Sequence, residues 1–90
     1  MKLYLIHAGY YDPEIMKGLY EHHVNYFVVA ENIRDAKNKA RKNSMFVKKR
    51  MHIDGIQELN VIDGYRVQLM EDKSPEEMIN YGYEDVKKIK

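Results

Sequence analysis

Residues 52–69, HIDGIQELNVIDGYRVQL, constrain the fold of this 90-residue chain more than any other stretch. Asp63-Gly64 lies between two apolar runs, which is a strong signal for a two-residue hairpin turn. The run before the turn predicts a strand over His52–Leu59 that is bulged at Gly55, because its apolar residues do not alternate cleanly. The run after the turn, Tyr65–Met70, alternates and predicts a half-exposed strand.

Two further strands are predicted upstream of this hairpin. Leu3–Ala8 is apolar on both faces, a pattern typical of a central strand that is covered on both sides, and we expect Gly9 to end this strand. His22–Ala30 is rich in β-branched and aromatic residues and predicts the second strand. The segment between them, Gly9–Glu21, carries a turn signal at Asp12-Pro13 and predicts a connecting loop with some helical character.

A helix is predicted to follow the second strand. Asn32 is a suitable N-cap, and Asp35 lies three residues later, where its charge suits the positive end of the helix dipole. Alanines lie at the centre of a narrow apolar stripe and would allow the helix to pack closely on a sheet. The helix is expected to end near Asn43-Ser44. Met45–Met51 is compatible with a linker under the helix end or with the start of the next strand.

These elements add up to an α+β fold, a two-layer ββαββ sheet with one main helix. We expect a single domain over residues 1–70 and a charged C-terminal extension over residues 71–90, in which Ser74-Pro75-Glu76-Glu77 predicts the start of a short helix. One helix cannot cover both faces of a four-stranded sheet. The leftover face must be covered by the Gly9–Glu21 loop, by the C-terminal helix or by another subunit. It therefore favours a homo-oligomer, with a dimer as the expected form.

The composition limits what can support this fold. The chain has no cysteine, so neither a disulfide nor a thiolate metal site is available, and eight tyrosines must supply part of a thin core. The opening MKLYLIHAG lacks the apolar segment and cleavage site of a secretory signal. No window approaches the ~20 apolar residues that span a membrane. We therefore expect a cytoplasmic protein that does not bind membranes.

Charge is distributed unevenly along the chain. Residues 1–50 contain ten Lys/Arg and five Asp/Glu, whereas residues 51–90 contain five and nine. Residues 36–53 contain no acid, and a basic patch in them is a candidate surface for nucleic acid, with Tyr26 or Phe46 to stack on bases. The alternative is a solvated helix face, which the sequence pI of about 7.9 and the few arginines favour. The patch consists of Lys37, Lys39, Arg41, Lys42, Lys48, Lys49 and Arg50.

Three stretches of the sequence resemble a known family. They are MKLYLIHAG, FVVAENIRDAKNKA and HIDGIQELNVIDGYRVQL, and in the last of them His52-Ile53-Asp54 and Asp63-Gly64-Tyr65 carry the match. The resemblance is to domain of unknown function 1543 and covers roughly residues 1–70. It implies a compact α+β domain that occurs singly or in tandem in bacterial proteins. It implies no activity and no catalytic residue.

His52 and Asp54 are the candidate binding residues, together with Tyr65. Positions i and i+2 share one strand face, so Asp54 would orient the imidazole of His52, as in base and metal-ligand pairs. The alternative is structural: Asp54-Gly55 would form a bulge, and the carboxylate would accept backbone hydrogen bonds. A zinc site of His23, His52 and Asp54 is a further alternative, which would require the second and third strands to be neighbours.

The other histidines have structural interpretations. His22 and His23 are adjacent, so they are expected on opposite faces of their strand. His7 lies in an apolar strand and is expected to be a hydrogen-bonded core residue. The spacing of histidines and acids matches no metal motif, so neither a metal nor a cofactor is predicted.

No catalytic motif is present. The chain has no Gly-rich phosphate loop and no nucleophile elbow, and Ser44 and Ser74 are both predicted at helix ends. We therefore do not expect an enzyme. The preferred hypothesis is a small binding or protein-interaction domain that self-associates. The alternatives are nucleic-acid binding through Lys37–Arg50 and a minor enzyme or metal site at His52 and Asp54.

Overall fold

The computed structural model describes residues 1–90, and its fold is α+β, as predicted. The main sheet has three antiparallel strands, β1 (Lys2–Tyr11), β2 (Glu21–Ala30) and β3 (His52–Glu58), in the order β2-β1-β3. The prediction of a central first strand is confirmed. The expectation that Gly9 ends this strand is wrong, because β1 continues through Gly9 to Tyr11 and pairs with β2 over ten residues.

The main helix, α1 (Ile33–Lys42), begins and ends where the sequence predicts. The side chain of Asn32 accepts a hydrogen bond from the backbone N–H of Asp35 at 2.9 Å, which satisfies one of the free donors of the first turn. Met45–Met51 forms neither the predicted linker nor the start of a strand. A second short helix, α2 (Ser44–Lys48), begins directly after Asn43 and includes the first part of this segment. Its cap is Asn43, which accepts from two backbone N–H groups of that first turn.

The core lies between α1 and one face of the sheet. Ala36 and Ala40 of α1 are fully buried, and the hydroxyl of Tyr26 donates to the carbonyl of Ala40 at 2.9 Å, which fixes the end of the helix on β2. The core is small and consists of seven buried apolar residues: Tyr4, Ile6, Ala8, Ala30, Ala36, Ala40 and Met51. The other face of the sheet stays open, with Phe27 48% exposed and Val29 38% exposed.

The predicted bulge in the third strand is present. His7 of β1 pairs with Gly55, and the next residue, Ala8, pairs with Ile53, which leaves Asp54 without a partner. This irregularity changes the alternation of side chains along β3, so that His52 and Asp54 both lie on the open face.

The predicted hairpin turn is also present, but it does not extend the main sheet. Asp63 and Gly64 both have positive φ, 52° and 81°, as a two-residue type I′ hairpin turn requires. The turn joins β4 (Val61–Ile62) to β5 (Tyr65–Arg66), and these two short strands form a separate sheet. The expectation of one four-stranded sheet with a long last strand is therefore wrong.

The C-terminal helix lies further along the chain than predicted. No helix follows Ser74, whose backbone N–H instead donates to the carboxylate of Asp72 at 2.8 Å. A short isolated helix is marginal in water unless an apolar face packs, and Ile79 there is 78% exposed. The helix observed is α3 (Tyr83–Lys88), where Asp85 accepts from the backbone N–H of Gly82 at 3.0 Å.

No helix in the structure has the length and apolar character needed to cross a membrane.

Candidate functional site

Four side chains from the two outer strands converge on the open face of the sheet. Glu21 and His23 come from β2, and His52 and Asp54 come from β3. Nε2 of His23 lies 2.9 Å from Glu21 Oε1 and 3.1 Å from Asp54 Oδ2. Nε2 of His52 lies 2.9 Å from the same Glu21 oxygen and 3.2 Å from Asp54 Oδ1. Two imidazoles and two carboxylates thus alternate around one centre, which we call the open-face cluster.

Gly9 makes this convergence possible. It lies on the central strand and is the cross-strand partner of both His23 and His52. A Cβ atom built on Gly9 would lie 2.8 Å from Nε2 of His52 and 2.7 Å from Oδ2 of Asp54, and still closer to Glu21 Oε1. Any side chain at this position would therefore occupy the centre of the cluster.

The local sequence of each strand explains which residues take part. Side chains alternate along β2, so Glu21 and His23 share the open face while His22 lies on the other face and stacks on Tyr10 at 5.3 Å. The expectation that His22 and His23 face opposite ways is confirmed. On β3, the bulge at Asp54 keeps its carboxylate on the same face as His52.

The cluster contains more short nitrogen–oxygen contacts than hydrogens that could be donated in them. Nε2 of an imidazole carries at most one hydrogen in any protonation state, yet each Nε2 here contacts two carboxylate oxygens. Two hydrogens therefore serve four contacts, so linear hydrogen bonds alone leave the set incompletely satisfied. A cation at the centre would interact with all four groups at once.

The carboxylate of Glu21 is held in its charged form. The hydrogen bond with His52 lowers the pKa of Glu21 most, and the hydrogen bond from Tyr11 lowers it further against the opposing effect of partial burial. The hydroxyl of Tyr11 donates to Oε2 of Glu21 at 3.1 Å, and this contact raises the pKa of Tyr11. Tyr11 thus holds the carboxylate with Oε1 turned toward the two imidazoles.

A third histidine stands beside the cluster. The ring of His7 stacks on the ring of His23 at a centroid distance of 4.9 Å, and its Nδ1 lies 2.8 Å from Oδ1 of Asn25. Because a carboxamide oxygen only accepts, Nδ1 of His7 is the donor in this contact. His7 is a partly buried residue of the open face, so the expectation of a core histidine is wrong.

The structure brings together part of the predicted site. His52 and Asp54 are in contact, as expected, but Tyr65 lies on β5 in the separate hairpin and is 77% exposed. The proposed grouping of His23 with His52 and Asp54 is present, although β2 and β3 are not neighbours. Our premise that only adjacent strands would allow it is wrong, since side chains meet across a glycine.

Three members of the arrangement were missed from the sequence: Gly9, Tyr11 and Glu21. The sequence indicates a strand end at Gly9 and the end of a loop at Glu21. Only the pairing register of β1 with both neighbours relates them, and a single sequence contains no direct signal of that register.

The basic patch is spread over α1, α2 and the turn after them. Lys39 donates to the backbone carbonyl of Val29, and the ammonium of Lys49 lies 3.7 Å from Asp12 Oδ2. Tyr26 and Phe46, the proposed stacking residues, pack against the core. The structure thus offers no exposed aromatic from this pair beside the basic residues.

Comparison with known proteins identifies the family. Residues 18–69 match the family described as Domain of Unknown Function (DUF1543). The match begins after β1 and covers β2, α1, α2, β3 and the hairpin. No curated protein and no solved structure matches the chain significantly. Because the match covers more than half of the sequence, the chain belongs to the DUF1543 family.

Proposed function

We propose that this domain binds a divalent first-row transition metal ion through the open-face cluster. The donors are Nε2 of His23, Nε2 of His52, Oε1 of Glu21 and the carboxylate of Asp54, whose Oδ2 contacts His23 and whose Oδ1 contacts His52. The observation that carries the proposal is the set of four nitrogen–oxygen separations, which lie between 2.9 and 3.2 Å.

These separations fit the edges of a metal coordination polyhedron. A metal–donor distance of about 2.0–2.1 Å gives donor pairs about 3.3 Å apart in a tetrahedron, and about 2.9–3.0 Å apart at the cis positions of an octahedron. The four nitrogen–oxygen separations fall within or close to this range, and Glu21, His52 and Asp54 offer ligand atoms that all lie within 4.8 Å of one another. A central ion would interact with all four groups, whereas two N–H hydrogens cannot serve all four contacts.

The chemistry of the donors selects the kind of ion. Imidazole nitrogen is a ligand for Zn²⁺, Fe²⁺, Co²⁺, Ni²⁺ and Cu²⁺, whereas Mg²⁺ and Ca²⁺ prefer sites made of oxygen alone. Two neutral imidazoles and two carboxylates carry a charge that one divalent ion balances. Tyr11, whose hydroxyl donates to Glu21, supplies the hydrogen-bonded support that metal sites require.

Zinc titration of protein purified without an affinity tag tests the proposal. Isothermal titration calorimetry should give one zinc ion per chain, and His23→Ala should weaken binding by at least about 100-fold, since one of four protein ligands is lost. His22→Ala is the matched control, because the neighbouring histidine lies on the other face and should leave the affinity unchanged. Equal affinities of the two variants, or no binding by the parent protein, would contradict the proposal.

We propose a small binding domain of the bacterial cytoplasm that self-associates, with a dimer as the expected form. Metal binding is the kind of binding that the cluster supports best.

A further inference from the structure

The outer edge of β2 is the longest unpaired strand edge in the structure. The strand order β2-β1-β3 leaves β2 with one neighbour only, and β2 is ten residues long. A strand edge presents N–H and C=O groups that another extended strand can pair with. What could occupy this edge therefore depends on which residues direct their backbone groups outward.

The hydrogen bonds of β1 identify the outward residues of β2. The carbonyl of Leu3 accepts from the backbone N–H of Leu59, so the backbone groups of Leu3 point toward β3. Its partner on β2, Val29, must then direct its own groups away from β1. Because the direction alternates along a strand, the outward residues are Glu21, His23, Asn25, Phe27 and Val29.

This edge lacks most of the features that normally prevent pairing. Proteins protect free edges with lysine, proline, bulges or short strands. β2 contains no lysine and no proline, and its register with β1 is unbroken. The opposite edge, β3, is shorter and carries the bulge at Asp54. Of the outward backbone groups of β2, only the carbonyl of Val29 has a partner, the ammonium of Lys39.

We propose that the occupant is β2 of a second copy, paired antiparallel about a two-fold axis at Asn25. In this register all five outward residues pair with outward residues: Asn25 meets its own copy, Phe27 meets His23, and Val29 meets Glu21. About ten backbone hydrogen bonds would join the two copies into one six-stranded sheet. A shift by one residue would set outward groups against inward ones, and a shift by two would leave some of the five residues unpaired.

The side chains and charges of β2 suit this arrangement. Glu21 is the only acidic or basic residue of the strand apart from the histidines, so no lysine or arginine repels its counterpart across the axis. The two copies of Glu21 lie at opposite ends, each opposite Val29 of the other copy, where Lys39 reaches the strand. Phe27, 48% exposed in one chain, would be covered by pairing with His23 on the open face.

An engineered disulfide tests the register directly. Residues that form a hydrogen-bonded pair have Cα atoms about 5.5 Å apart, within the range that a disulfide spans. The chain has no cysteine of its own, so Asn25→Cys introduces a single reporter. Under mild oxidation this variant should form mostly a covalent dimer, and dithiothreitol should reduce its disulfide. Gln57→Cys is the matched control, because it is exposed on the opposite edge of the same sheet and should remain largely without an intermolecular disulfide.

The parent protein provides an independent measurement in case the variant loses stability. In hydrogen exchange over a dilution series, the amides of His23, Asn25 and Phe27 should be protected at high concentration and exposed at low concentration. Phe27→Lys should weaken dimerisation by at least about tenfold, because an added charge on an edge opposes pairing, whereas Gln57→Lys should not.

Two outcomes would overturn the proposal: equal crosslinking of both cysteine variants, or outward amides that exchange at the same rate at every concentration. Neither crosslinking nor amide protection is expected to require a bound metal ion. Both measurements are therefore repeated with a chelator to test this. A protein that dimerises but binds no zinc would contradict only the proposed function, and one that binds zinc as a monomer would contradict only this inference.

Discussion

Nε2 of His52 lies 2.9 Å from Oε1 of Glu21, although 31 positions separate the two residues along the chain. They belong to β3 and β2, the two edges of the sheet, which share no backbone hydrogen bond. They meet across Gly9 of the strand between them. An ion bound at this point would cross-link the two edges, so metal binding and folding should be linked.

The first prediction concerns thermal stability. Free zinc at 100 times its dissociation constant should stabilise the folded chain by about 2.7 kcal/mol if it does not bind the unfolded chain. For a domain of this size such a gain corresponds to a rise in Tm of about 10–20 °C. Differential scanning calorimetry should show the rise with zinc and its reversal with EDTA. Magnesium is the control, and an equal rise with magnesium would argue against imidazole ligands.

The second prediction concerns the floor of the cluster. Gly9→Ala keeps all four donors but places a methyl group 2.8 Å from Nε2 of His52, so zinc affinity should fall by at least about 100-fold. Gly55→Ala is the matched control, because a Cβ there would meet no atom within 4 Å. Titration calorimetry on the two variants measures the difference. Full zinc affinity in Gly9→Ala would place the ion elsewhere.

Part of this site could be inferred from the sequence. The pair His52 and Asp54 was recognisable because positions two apart share a strand face, and adjacent His22 and His23 had to diverge for the same reason. The contribution of Glu21 was not recognisable, because it depends on a register between strands that are far apart in the chain. The role of Gly9 was hidden further, since a glycine after an apolar run more often marks the end of a strand.

Predictions of the fold differ in the same way, according to whether they depend on neighbouring or on distant residues. The cap of Asn32, the extent of α1 and the turn at Asp63-Gly64 were all predicted correctly, because each depends on a few neighbouring residues. The length of the last strand was not, since Tyr65–Met70 alternates like a strand but only Tyr65 and Arg66 pair, and they pair with β4 rather than with the main sheet. The prediction of a helix at Ser74 is wrong for a related reason. The start signal is local, but the apolar side chains that follow it have no surface to pack against.

The third prediction concerns acid stability. Hydrogen bonds from Asn60 and then from the buried hydroxyl of Tyr4 lower the pKa of Glu58 below the ordinary value of 4.5. A carboxyl whose pKa is lower in the folded state contributes stability above its unfolded pKa, and this contribution is lost as the pH falls through the folded pKa.

The difference in unfolding free energy between the parent and Glu58→Gln should therefore be largest near neutral pH and should shrink below pH 4.5. Urea denaturation at several pH values measures it. Gln57→Glu serves as a control for an added exposed charge on the same strand. A difference that stays constant with pH would show that Glu58 stabilises the fold by packing rather than by its charge.

The fourth prediction separates the domain from its C-terminal segment. Met51 is 7% exposed and packs in the core, whereas Met78 is 72% exposed and lies where the chain forms neither helix nor strand. Met51→Ala should therefore lower the unfolding free energy by about 2–5 kcal/mol. Met78→Ala, the identical substitution, should change it by less than about 0.5 kcal/mol. Urea denaturation at two protein concentrations measures both effects.

A cost above about 1 kcal/mol for Met78→Ala would mean that the segment docks on an apolar surface. A cost that grew with protein concentration would assign that surface to a neighbouring copy.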